Sequence, residues 1–214
     1  MTLPDPTLEL DDPLRTVLWQ RLDLPGSEWC ALGEEPGGLR CVGKVLTSVE
    51  GVPAVIRYEL ALDAGWHTRE VRIAMHTGTT PAPRRLHLIV SPEQEWRIVC
   101  DPAVIGIDPS AEAAAIQGLV DVDLGFSPLT NTLPIRRLAP AVGESVDVTA
   151  AWVRFPELTL EPLPQRYTRL APRRYRYESN GGAFVATLSV DDLGLVTTYE
   201  GGWQRLAEAS RERG

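Results

Sequence analysis

Asp121 and Asp123, two residues apart, are the pair of groups in this chain best spaced for acid–base chemistry. They lie in a strand-like stretch, where side chains alternate, so both carboxylates should face one side. That arrangement suits general acid–base work or a cation site. No third acidic residue or histidine sits nearby in sequence, so pairing with arginine or capping a turn is the competing expectation. His67, His76 and His87 share no metal-ligand spacing. Cys30, Cys41 and Cys100 are odd in number, widely spaced and lack a C-x-x-C pair, which argues against a zinc site and a disulfide framework. No G-x-S-x-G, P-loop or G-x-G-x-x-G occurs. The sequence gives no reason to expect a cofactor, a metal or a catalytic set.

A second constellation is larger. Arg136, Arg137, Arg154, Arg166, Arg169, Arg173, Arg174 and Arg176 are interleaved with Trp152, Phe155, Tyr167, Tyr175 and Tyr177. Guanidinium groups with aromatic rings can hold phosphates and stack on bases. They suit a sugar or phosphate headgroup equally well, the ring covering the apolar sugar face and the arginine fork taking two hydrogen bonds. The bland alternative is a solvated strand face balanced by the 29 acidic residues. Between Asp121 and Leu138, two carboxylates, the Asn131 amide, hydroxyls and two arginines alternate with apolar residues in no single period. Such polarity is stable only with buried partners or a ligand.

Composition narrows the classes. The net charge of −8 argues against nucleic acid and anionic membrane surfaces as partners. No apolar run approaches the length of a membrane-spanning helix, and Met1 to Asp5 lacks the marks of a signal peptide, so a cytoplasmic protein is expected. A length of 214 residues fits one all-β domain over 1–214, with 1–27 an acidic lead-in and 207–214 a frayed tail.

Strand signals must position these groups. Leu14 to Trp19 reads as a short helix or a first strand. Leu39 to Val49 is rich in β-branched residues, and Glu50-Gly51 is a two-residue turn. Ile56, Tyr58, Leu60 and Leu62 then alternate with polar neighbours, as do Val71, Ile73 and Met75. Pro81-Ala82-Pro83 should break the meander before runs at 84–91 and 95–100. Strand patterns recur at 145–155, 173–179, 184–190 and 195–200, joined late in the chain by short glycine turns. Helix signals are few. Residues 109–116 are good formers but short, and Ser127 with Pro128 makes a proper helix start. Pro134 predicts a kink or a very short helix there.

The blocks Asp121 to Leu138, Ala151-Trp152-Val153-Arg154-Phe155-Pro156, Tyr167-Thr168-Arg169-Leu170 and Tyr175 to Ser179 resemble the bacterial Putative glycolipid-binding family. Trp66-His67-Thr68-Arg69, Gly194-Leu195-Val196, Tyr199 and Trp203 fit it too, so the likeness spans roughly 28–206. The alanine-rich 110–117 departs from it. The resemblance implies a mainly β fold: a many-stranded antiparallel spiral β-roll or half-barrel wrapped around a single short helix, 127–138 here, as a homodimer. It also implies kinship of shape with bacterial lipoprotein-carrier half-barrels.

The expectation is therefore a non-enzymatic protein that binds an amphipathic ligand, a glycolipid or related lipid. Apolar strand faces would line a cavity for acyl chains. Asn131, Arg136, Arg137, Trp152, Arg154, Tyr167 and Arg169 would meet the headgroup at its mouth. The rivals are an enzyme using Asp121 or Asp123 in a pocket that perturbs its pKa, and a protein-interaction module presenting a flat arginine and tyrosine face.

Overall fold

The computed structural model describes residues 3–78, 82–100 and 106–211. Fourteen strands form one sheet. The first seven are β1 (Pro13–Arg21), β2 (Gly26–Glu35), β3 (Gly38–Val49), β4 (Val52–Asp63), β5 (Thr68–Thr77), β6 (Arg84–Val90) and β7 (Trp96–Cys100). The second seven are β8 (Asp121–Leu124), β9 (Ser145–Val153), β10 (Leu160–Ala171), β11 (Arg174–Ser179), β12 (Phe184–Val190), β13 (Val196–Tyr199) and β14 (Trp203–Ser210). Each half is a meander, and the two join where β1 pairs antiparallel with β14. Among the described residues only β8, at the far edge, pairs in parallel, with β9. The break expected at Pro81-Ala82-Pro83 falls partly outside the described residues, and β6 begins at Arg84.

The two-residue periods decide the inner face. Ile56, Tyr58, Leu60 and Leu62 are buried, as are Val71, Ile73 and Met75. The Glu50-Gly51 turn has positive φ at both residues, which matches the twist of the flanking strands. Of the two readings of Leu14 to Trp19 the strand holds: residues 13–21 form the strand at the centre of the sheet, inside the span read as a lead-in, and 207–210 belong to β14. The partner of 207–210 lies nearly two hundred residues away, so the end of the chain carries no local sign of its strand.

The sheet curls around the segment that follows β8. A 3-10 turn, Pro128–Asn131, runs into helix α2, Thr132–Leu138, after helix α1, Pro109–Ala115. Ser127 caps the turn by accepting from the Leu129 N–H. Pro134 is tolerated because it falls in the first turn of α2, where backbone N–H groups lack intrahelical partners. Leu129 and Leu133 pack into the apolar cluster made by the first seven strands, whereas Ile135 packs with Tyr167, Tyr175, Tyr177 and Leu188 of the second half. The enclosed helix thus serves both halves. Helix α1 has no buried residue and lies against β7 and β10.

The interior expected to receive acyl chains is occupied by the protein itself. Apolar faces of β1 to β7 form one cluster with Phe126, Leu129, Leu133, Val122 and Leu124. Such close packing explains Gly43, which pairs with Tyr58 across β3 and β4. A Cβ there would come within 2.3 Å of the Tyr58 ring.

Candidate functional site

Strand β8 is short and two-faced. Val122 and Leu124 enter the apolar cluster, and Asp121 and Asp123 take the opposite face, as their spacing requires. The two carboxylates then part. Asp121 is buried in an ion pair with Arg137, whose Nη2 lies 2.5 Å away. Asp123 instead accepts from Gln165 Nε2 at 2.5 Å. Burial pushes its carboxyl up to about 6, against the lowering influence of that hydrogen bond.

Gln165 passes the connection on. Tyr167 Oη lies 3.1 Å from Gln165 Oε1 and 3.0 Å from Asn131 Oδ1, sharing its proton between them. Asn131 Nδ2 in turn donates to the Pro128 carbonyl. One polar chain therefore runs from the enclosed helix through β10 to β8. It ends on Asp123, which lines a groove of about 440 Å³ between the β1–β14 seam and β8.

Asp123, Ser127 and Asn131 supply polar groups to this groove, and Trp152, Tyr177, Tyr199, Phe184 and Trp203 supply rings. Gly125 keeps Trp152 close, since a Cβ would sit 2.8 Å from the indole nitrogen. On the seam side, the Arg21 guanidinium stacks 5.3 Å from the Trp203 ring and 5.9 Å from Phe155. Arg21 also pairs with Asp23 at 2.8 Å. Burial alone would raise the Asp23 carboxyl, but Arg21 holds it below its ordinary value. Tyr177 and Tyr199 are held as neutral phenols, first by burial and then by the charge of Asp123.

Beneath the groove lies a buried carboxyl. Glu28 is fully shielded from solvent, and its Oε1 accepts from Tyr58 Oη at 2.5 Å and Ser127 Oγ at 2.6 Å. Burial pushes it up to about 8, opposed by those two donors and by the charge of Arg21. Its Oε2 has no hydrogen-bond partner. Trp19 faces Glu28 across β1 and β2, so Arg21, two residues on, is a diagonal neighbour on the same face.

The residues expected at a headgroup site separate into three places. Asn131 and Trp152 line the groove, Tyr167 sits behind it, and Arg154 stacks 5.3 Å from Trp152. Arg136 lies 5.4 Å from the Trp66 ring and shares a second depression with Arg169, which donates to the carbonyls of Pro140 and Pro172. Arg137 is engaged by Asp121. Tyr167, Tyr175 and Tyr177 are buried, so they do not form an exposed interaction face. His67 pairs with Asp63 and His87 with Glu70. No group of three potential metal ligands occurs among the described residues.

Sequence reasoning missed Arg21, Asp23, Gln165 and Glu28. Glu28 was the most detectable, as a lone acid between Ser27 and the apolar Trp29-Cys30-Ala31-Leu32. Arg21 and Asp23 join the groove only through the β1–β14 pairing, which leaves no local trace.

The molecule is a β-sheet rolled around one short helix, with a groove of rings and polar groups beside its seam. The chain belongs to the Putative glycolipid-binding family, whose model matches residues 16–205. Among solved structures it is similar to a DUF1089 family protein from Pseudomonas aeruginosa, with 34% identity and a TM-score of 0.69. The match covers 84% of this chain and 92% of the other. No curated protein matches the chain.

Proposed function

We propose that the groove binds the uncharged sugar headgroup of a glycolipid, and that the protein is a binding protein rather than an enzyme. The observation that carries this reading is the meeting of Asp123 and Asn131 with Trp152, Tyr177, Tyr199 and Trp203 in one groove. Rings cover the apolar face of a sugar, and a carboxylate and an amide select its hydroxyl groups. The chain through Gln165 and Tyr167 orients both polar groups before ligand arrives, which reduces the ordering cost of binding. Arg154 stacks on Trp152, and Arg21, itself in the groove, stacks on Trp203. A cytoplasmic location and a homodimer belong to the same reading, and fractionation and sedimentation test them. Among the described residues no helix is long and apolar enough to cross a membrane.

Asp123 also meets the condition set for the enzyme reading, a carboxyl with a perturbed pKa in a groove. Asp121 lies outside the groove, in its ion pair with Arg137. Titration with methyl β-galactoside separates the two readings. Saturable binding with unaltered glycoside recovered supports the binding protein. Released free galactose would replace it with a hydrolase.

A further inference from the structure

Four of the large apolar side chains left exposed stand around this groove. Leu22 and Leu24 are 53% and 42% exposed on the seam side, and Phe184 and Val185 are 45% and 46% exposed on the other. The Leu22 N–H donates to the Gly202 carbonyl at 2.8 Å, which ties residues 22–25 to a turn that lines the groove. Asp23, between the two leucines, lines it directly. Phe184 is held edge-on to Tyr177, with ring centroids 6.1 Å apart, so it is a fixed part of the wall. A single exposed leucine needs no explanation, whereas apolar groups gathered on both sides of a polar groove mark a contact surface.

What would cover them follows from two facts. The strand faces are consumed by the core, so the tails of an amphipathic ligand bound in this groove remain outside the protein. The groove also carries Asp23, Asp123 and Glu200 against one arginine, itself paired, in a chain of net charge −8. An anionic lipid surface is repelled, and an uncharged one is not. We infer that the groove mouth docks on a bilayer surface of neutral headgroups, with Leu22, Leu24, Phe184 and Val185 entering the interface while the tails of the bound lipid stay in the membrane. The inference rests on the headgroup reading above.

Flotation of the full chain with phosphatidylcholine vesicles carrying monogalactosyl diacylglycerol tests it. The wild-type chain should float with these vesicles and less with vesicles in which phosphatidylglycerol replaces part of the phosphatidylcholine. Leu22→Asp/Leu24→Asp should lose about tenfold or more in vesicle binding through lost apolar burial, with methyl β-galactoside binding unchanged. Wild type that stays off the neutral vesicles, stronger flotation on the anionic ones, or a double variant that floats like wild type overturns the docking. Glycoside binding without flotation sinks the docking and leaves the headgroup reading standing. Flotation that ignores the galactolipid, with no glycoside binding, removes the headgroup reading and leaves a membrane contact alone.

Discussion

Asp123 and Glu28 are carboxyls raised by the same cause, burial, and they differ in what can reach them. Asp123 lines the groove, so a sugar hydroxyl donating to its ionised form would pull its pKa down from about 6 and release a proton. Binding of methyl β-galactoside should therefore tighten as pH rises from about 5 to about 7 and level off above. Asp123→Asn should abolish that dependence in a calorimetric titration series, and a slope that survives the substitution would remove Asp123 from the site. Glu28 cannot meet ligand. Its folded-state value, about 8, lies above the ordinary carboxyl value, so the folded chain keeps a proton that the unfolded chain releases. Stability is then greatest below the ordinary value and declines as pH climbs toward about 8. Glu28→Gln mimics the neutral group and should gain about 2 kcal/mol or more over wild type near pH 9, read from urea unfolding at acid and alkaline pH. Equal decline in both proteins would show that another group is responsible.

At the scale of elements, the enclosed helix depends on Ser127, which accepts from the Leu129 N–H and donates to Glu28. Ser127→Ala should cost about 1–2 kcal/mol in urea unfolding, and a cost near zero would show that neither bond matters. Elements with a clear period were legible in sequence. Strands β4, β5 and the late hairpins follow from alternation, and Ser127-Pro128 announces the helix start. Strands β2, β10 and β14 escaped for physical reasons. The sequence of β2 lacks alternation, with Glu28 buried on its inner face and Ala31 buried beside Cys30 and Leu32. Pro162 and Pro164 disguise β10, yet they lie where it pairs with β9 alone, before its pairing with β11 begins at Gln165. A missing N–H is tolerated on such an edge. Asn131, Trp152 and Tyr167 were legible as site candidates because their types suit a sugar. Gln165 and Arg21 were not, since only pairing between distant strands gives them their neighbours.

For the whole molecule, the seam between β1 and β14 joins the two meanders. Arg15, on β1, is bound by Asp191 and Glu208, and Arg205 binds Asp191 as well; Arg15, Asp191 and Arg205 are largely shielded from water, whereas Glu208 is half exposed. Deleting residues 203–214 strips β1 and β13 of a neighbour and opens the groove on its Arg21 side. The shortened chain should lose its cooperative thermal transition by circular dichroism, whereas an unchanged transition would mean that the halves fold independently. The groove exists only because that seam brings Arg21, Asp23 and Trp203 opposite Asp123 and Trp152. Its occupancy by a sugar is the claim on which the rest depends. The six tryptophans offer a direct reading in an NMR titration of indole N–H signals with methyl β-galactoside. Trp152 and Trp203 should shift together and saturably, while Trp19, Trp29, Trp66 and Trp96 hold still. No shift at either groove tryptophan, or a response confined to Trp66 beside Arg136, would contradict the account.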